Sequence, residues 1–500
     1  MKIRYYLVVL GLAMWGPAVD RALAQGAAEP VEASALVGSW QGLFTLEGQE
    51  IRVEVEVSED ASGGLAGTVD FRDAAVMGVP LRLEIQGRAI TMSAGPRPLI
   101  EAQLSDDLRT MAGRLFVATI GGWKDLVLEK DNEAFRRFAV PRLTDEGGGQ
   151  REYVYQPPEQ GEGGWSVSTL SAEGIDEKPI VALVESVLRE EHGRPEAILI
   201  ARNGKLVLEE YFYGFRRDRL HPIQSVTKNV VPLLFGIAKD RGLVSDLEQP
   251  VYSFFPDYKG KQWIDQEYPI TLFHLLTMSA AVEWSDEGHE STNAMYRSGD
   301  WISYVLDLDR IGQPGETASY ASGLSILLGD IVRRATGKSV SEFAEETLFA
   351  GLGVSRYRWR AALDGTQHTG GGLVLTAYDL AKIGQLVLDK GMWNGKRVIS
   401  ESWIEAVARK HLPVGEESVR ASGGSRYSTG YGFHWWVQSY EVDGRSVDAM
   451  AGKGYGGQYL GVLPTLDTVI VLFNGEWGDP WERIFDYDSI VEKWILPAVR

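Results

Sequence analysis

Ser225-Val226-Thr227-Lys228 is the stretch whose residue types and spacing could do chemistry. A serine hydroxyl is a weak nucleophile until a base takes its proton, and a desolvated lysine near other cations can be neutral enough to serve. Pro222 disfavours helix in the residue before it, so a helix is expected to start at about Gln224-Ser225. Ser225 then lies in the first turn, where free backbone N–H groups and the positive end of the dipole point outward, and Lys228 shares its face. Taken alone, Ser-x-x-Lys is a short pattern that also describes a capping serine beside a surface lysine. Pro232 should kink the helix or end its first segment.

The chain must position this pair. Its 500 residues imply at least two domains, and a hydrophobic fraction of 44% with 10% aromatics supports full folding. A net charge of −19 argues against a nucleic-acid partner. Cysteine is absent, which excludes disulfides, thiol nucleophiles and cysteine metal sites. The seven histidines show no H-E-x-x-H spacing, so a zinc hydrolase is unsupported; the serine chemistry expected here calls for neither a metal nor a cofactor. Residues 1–24 read as a signal peptide: Lys2 and Arg4, an apolar run over 5–15, then Ala22-Leu23-Ala24, with cleavage between Ala24 and Gln25. A retained anchor is the competing reading. Export to a periplasm or beyond is expected, without stable membrane insertion after cleavage.

Residues 35–131 read as a small all-β domain. Ile51-Arg52-Val53-Glu54-Val55-Glu56-Val57 alternates apolar with charged, as a half-buried strand does. Further strands are expected at 65–71, 81–85, 89–93, 99–104, 111–117 and 126–128, an antiparallel meander curling into a barrel. No cluster within it carries chemistry; a structural or docking role is the default, and a ligand at the barrel mouth the lesser reading. Residues 132–175, rich in Gly and Glu, form a linker that wraps the next domain or stays mobile.

The second domain, 176–500, opens with a helix over 180–188 and a hairpin around Asn203-Gly204. A helix opened by a capping threonine is expected over 270–278, and strands at 433–437, 457–463 and 468–473. The last helix runs roughly over 480–496. Strands at both ends with helices between suggest an α+β domain: one antiparallel sheet flanked by helices, with a helical inserted region.

This domain resembles the serine β-lactamase and penicillin-binding-protein superfamily, in the branch of class C β-lactamases, family VIII carboxylesterases and 6-aminohexanoate-dimer hydrolases. Three ordered segments carry the likeness, over about 165–500. They are Ser225-Val226-Thr227-Lys228, then Pro314-Gly315-Glu316-Thr317-Ala318-Ser319-Tyr320-Ala321-Ser322-Gly323, then Ala451-Gly452-Lys453-Gly454-Tyr455-Gly456-Gly457-Gln458. The resemblance implies that Ser225 forms an acyl-enzyme. Lys228 would be the base, or would lower the pKa of Ser225 and Tyr320; the sequence does not settle which residue takes the proton in each half-reaction. Tyr320 would pass a proton to the leaving group and help activate the deacylating water. Ser322 would bond substrate or Lys228. The N–H groups of Ser225 and Tyr455 would form the oxyanion hole, with Gly454 and Gly456 letting the strand edge approach substrate.

Two departures stand out. The third segment lacks an intact Lys-Thr-Gly, and Lys453 is displaced by glycines and not expected to replace its cation. His368-Thr369-Gly370 looks like the missing triplet but precedes the helix over 377–388, so it is expected to shape a loop near the site. His221 is expected to serve the framework. Trp284, Tyr296 and Trp301 lie in or near the inserted region, which lines the acyl pocket in this family, and are candidate substrate contacts. No Gly-x-Ser-x-Gly elbow occurs. The expected function is an exported serine hydrolase cleaving a small ester or amide through an acyl-serine. The alternatives are a β-lactamase or D-amino-acid peptidase of the same fold, or a non-catalytic binding protein. Substrate identity and oligomeric state are not legible.

Overall fold

Residues 33–46, 49–59, 64–71, 76–95, 97–117, 122–130, 153–161, 165–189, 191–212, 215–258, 263, 268–285, 290–316, 320–362, 364–413, 427–475 and 487–499 are described by a computed structural model. The chain divides into two compact units, Met1–Arg137 and Phe138–Arg500. The signal-peptide reading of 1–24 lies outside the described residues.

The first unit is a closed antiparallel barrel of eight strands in sequence order. They are β1 (Gly38–Leu46), β2 (Gln49–Glu59), β3 (Leu65–Phe71), β4 (Val76–Gln86), β5 (Ala89–Ala94), β6 (Arg97–Leu104), β7 (Thr110–Val117) and β8 (Gly122–Lys130). Pairing of Trp40 with Lys130 and of Leu43 with Val127 closes β1 on β8, which leaves no sheet edge. Alternation decides the interior: Trp40, Val53, Val55, Met92, Leu115 and Leu128 are buried together. The Trp40 indole N–H donates to Leu36 O at 2.8 Å, tying a short 3-10 turn (Ala33–Leu36) to the barrel wall. One feature departs from a half-buried strand. On the other face of β2, Arg52 and Glu54 are also buried, 3.9 Å apart, and exposure begins only at Glu56 and Ser58.

The second unit is an eight-stranded antiparallel sheet with helices packed on it. Across the sheet the order is Lys205–Tyr211, Pro195–Arg202, Thr468–Asn474, Gln458–Leu463, Arg445–Gly454, Trp436–Val442, Ser428–Tyr431 and Leu412–Pro413. Asn203 and Gly204 both take positive φ, 51° and 73°, the geometry a two-residue hairpin turn requires. The hairpin then pairs with the last strand, Val471 opposite Leu199, so the two ends of the domain join in one sheet. Helix Ala377–Leu388 covers the strands Gln458–Leu463 and Thr468–Asn474, while Glu177–Leu188 packs with the C-terminal turns Val491–Ile495 and Leu496–Ala498. Described parts of the Gly-rich linker lie on this domain: Tyr153 and Trp165 are in its core, and the Tyr155 hydroxyl donates to Val207 O at 2.8 Å. Among the described residues no helix is long and apolar enough to cross a membrane.

Helix Thr227–Asp240 does not end at Pro232. Proline removes the N–H that would bond the carbonyl four residues back, that of Lys228. The Lys228 carbonyl instead lies 3.2 Å from His434 Nδ1. The buried apolar face of the helix keeps it continuous.

Candidate active site

The Ser225 turn is held from both sides. His221–Pro222 pairs antiparallel with the strand Leu373–Leu375, and the Ile223 N–H donates to Leu373 O at 3.1 Å. Past the turn, Leu373 N–H donates to Thr227 Oγ1 at 3.1 Å. Between these fastenings Gln224 is forced to φ +48°, a left-handed conformation that non-glycine residues rarely adopt. A 3-10 turn (Gln224–Val226) follows and becomes the helix Thr227–Asp240. The 3-residue spacing then does what the sequence implies: Lys228 Nζ lies 2.9 Å from Ser225 Oγ. Lys228 is 1% exposed, and its Nζ also donates to Gly370 O at 2.6 Å. The distance to Ser225 lies within the reach a nucleophile and its base require.

Tyr320 lies just ahead of helix Ser322–Thr336; Thr317, Ala318 and Ser319 of the same segment lie outside the described residues. Lys228 Nζ sits 4.8 Å from the Tyr320 ring centroid. The ring stacks on Trp436 at 5.8 Å and meets Tyr431 edge-on at 6.4 Å, which fixes its plane. Burial, with Tyr320 alongside, pushes the Tyr431 phenol well above its ordinary range. Ser322 is buried with its Cβ and carbonyl packed against Gly370. Helix and loop are stitched together by Ser325 Oγ donating to Thr369 O at 3.0 Å and Thr369 Oγ1 donating to Ser325 O at 2.6 Å.

The strand Arg445–Gly454 brings the third segment in. A Cβ on Gly452 would meet Asn229 Oδ1 at 2.5 Å, and one on Gly454 would meet Ile223 O at 2.6 Å. Only glycines let this strand lie so close to the Ser225 turn. Tyr455 follows at the strand end, and Gly456 and Gly457 turn the chain back with φ of 77° and 83°. Alternation sends Lys453 to the opposite face, where Nζ meets the buried carboxylate of Asp488 at 3.0 Å. Lys453 therefore supplies no cation beside Ser225.

The remaining candidates separate. Trp284 lies against Gly323, at the start of the Tyr320 helix. Tyr296 and Trp301 pack on the His368 ring, each at 5.6 Å, and Trp301 is a buried core side chain. His221 is framework: its Nε2 lies 2.7 Å from Glu196 Oε2 and its ring stacks on Phe473 at 4.4 Å. Two contacts were not readable as such. The Gly370 carbonyl acts through the backbone of a triplet that the sequence marked only as a loop, and His434 acts across 206 positions. The loop expected of His368-Thr369-Gly370 is thus a loop that holds Lys228.

His434 sits between two carbonyls, with Nδ1 3.2 Å from Lys228 O and Nε2 3.0 Å from Leu275 O. Burial lowers its pKa from 6.5 to about 4, outweighing those carbonyls, which pull the other way. The unfolded state therefore binds the proton more readily than the folded state. Stability is fully present above the unfolded value and is lost as pH falls from about 6.5 towards 4. Denaturant titrations are expected to show about 2 kcal/mol lost at about pH 5 from this residue. His368, lowered by burial and then by Arg360 and Lys228, acts in the same direction. His434→Gln should flatten the profile; an unchanged slope would exclude this origin.

A family model described as Beta-lactamase matches residues 181–492. A 6-aminohexanoate-dimer hydrolase from Paenarthrobacter ureafaciens is 29% identical over 307 residues, covering 58% of this chain and 74% of that protein. A Bacillus anthracis structure provisionally described as a 6-aminohexanoate-dimer hydrolase superposes with a TM-score of 0.52 at 23% identity, covering 63% of this chain and 80% of that one. A Bacteroides dorei structure, provisionally described as a β-lactamase, gives a TM-score of 0.53 at 18% identity, covering 65% of this chain and 99% of its own.

Proposed function

Because the chain belongs to the β-lactamase family of serine hydrolases, we propose that it cleaves a small ester or amide through an acyl-enzyme on Ser225. The observation that carries this reading is the 2.9 Å approach of the buried Lys228 amine to Ser225 Oγ. In its neutral form the amine accepts the hydroxyl proton across that distance while Oγ attacks the substrate carbonyl. The tetrahedral oxyanion is received by the N–H groups of Ser225 and Tyr455; two such donors contribute a few kcal/mol, on the order of 3. Tyr320, with the Lys228 ammonium beside its ring, passes a proton to the leaving group and then helps water release the acyl chain. Ser322 and Gly370 set the floor against which Lys228 is held.

Esters and linear amides are preferred over β-lactams in this reading. A β-lactam carboxylate wants a cation at the third segment, and Lys453 is engaged with Asp488 instead. The enzyme is exported after cleavage between Ala24 and Gln25, which N-terminal sequencing of the protein from a periplasmic fraction tests.

The deciding experiment is intact mass after brief exposure to p-nitrophenyl butyrate, for wild type and Ser225→Ala. A butyryl adduct or nitrophenol release in wild type alone is expected. Equal release from both would remove Ser225 from the chemistry.

A further inference from the structure

The loop that supplies the Gly370 carbonyl also carries a side-chain cluster that acyl transfer does not use. Arg360 is half-buried beside it. Its guanidinium lies over the Tyr296 ring at 5.0 Å, and Nη2 donates to the Tyr296 hydroxyl. Its Nε is buried with no acceptor, and among the described residues no carboxylate pairs with it. His368 is 3% exposed, and both its ring nitrogens lack a hydrogen-bond partner. The two side chains leave the backbone together: a Cβ on Gly372 would meet His368 Cβ at 2.8 Å and Arg360 Cβ at 3.0 Å. Two residues from His368, Gly370 holds Lys228.

A half-buried cation without an anion is costly, and so is a buried imidazole with both nitrogens unpaired. Groups left in this condition beside a nucleophile are explained by something they meet in function. The chemistry is specific. A guanidinium presents a planar fork that matches two oxygens of a carboxylate. Burial keeps His368 neutral, so the imidazole offers one N–H donor and one acceptor nitrogen. The Arg360 guanidinium repels a cationic group from this place. The chain's overall negative charge gives no hint of such a local preference.

We propose that Arg360, with His368 and Tyr296, recognises a carboxylate carried by the substrate, so that the preferred ester or amide is an acidic one. This rests on acyl transfer at Ser225 as the activity.

The test compares matched pairs of esters, neutral and anionic. One pair carries the charge on the acyl chain (p-nitrophenyl valerate and p-nitrophenyl hydrogen glutarate). The other carries it on the leaving group (phenyl butyrate and 4-butyryloxybenzoate). Wild type, Arg360→Gln and Arg360→Lys are assayed for kcat/KM, and their Tm is read with and without glutarate. In wild type the anionic member of at least one pair is favoured. Arg360→Gln lowers that anionic-to-neutral ratio at least tenfold, and Arg360→Lys, which keeps the charge without the fork, lowers it less. Glutarate raises the Tm of wild type and not of Arg360→Gln. Turnover with ratios indifferent to Arg360 overturns the subsite and leaves the hydrolase reading standing. No turnover of any ester, with an Arg360-dependent Tm shift, does the reverse. Arg360→Lys carries the comparison should Arg360→Gln not fold.

Discussion

Lys228→Met is expected to lower kcat/KM towards small esters by about a thousandfold or more, with the Ser225→Ala/Lys228→Met variant falling no further than Ser225→Ala alone. The amine at 2.9 Å is the group placed to take the Ser225 proton. Without it the hydroxyl attacks at its intrinsic, poor reactivity. Groups that act as one unit lose their function together, so the second substitution has little left to remove. Methionine matches the length of the stem and leaves a folded variant, although the Gly370 carbonyl loses its donor and stability falls by about 1–3 kcal/mol. Tm measured beside the kinetics separates this loss from the catalytic one. Retention of activity within about tenfold would move the base to another residue, with Tyr320 the first to examine by substitution to Phe.

What the sequence disclosed and what it hid follow from how each contact is made. Ser225 and Lys228 meet through helix geometry, which a spacing of three residues encodes locally. The barrel was legible because strict alternation and turn residues write each strand and each reversal into neighbouring positions. At Pro232 the local rule allowed a kink or an end, and the end failed: the helix runs on in its tertiary setting, with His434 at the carbonyl the proline leaves unbonded. Arg52 and Glu54 failed the same way: charge suggested an exposed face, and burial came from packing that the strand does not encode. The orientation of Lys453 was within reach, because residues on either side that approach the Ser225 turn must send it to the far face. His368-Thr369-Gly370 was visible only as a loop near the site: the Gly370 carbonyl is a backbone atom with no residue type, and the grouping of His368 with Arg360 and Tyr296 joins three separated positions.

Asp488→Ala is expected to destabilise the second domain by about 3–5 kcal/mol, while the Lys453→Met/Asp488→Asn variant loses less and keeps the proposed ester turnover of wild type. The carboxylate is fully engaged: Oδ2 accepts from Lys453 Nζ at 3.0 Å, and Oδ1 accepts from Tyr440 OH at 2.7 Å and Gln438 Nε2 at 2.9 Å. Alanine strips the buried ammonium of this anion and leaves the tyrosine and glutamine without their acceptor, two costs that add. Removing both charges together avoids the first cost, and asparagine keeps an oxygen for the second. Chemical denaturation of the three proteins gives the order wild type, double variant, Asp488→Ala in decreasing stability. The same set decides the role of Lys453. A cation serving substrate would be missed in the double variant, whose kcat/KM towards esters would then collapse while its fold held. Activity within a few-fold of wild type leaves Lys453 as the anchor of the strand that carries Gly452, Gly454 and Tyr455 to Ser225.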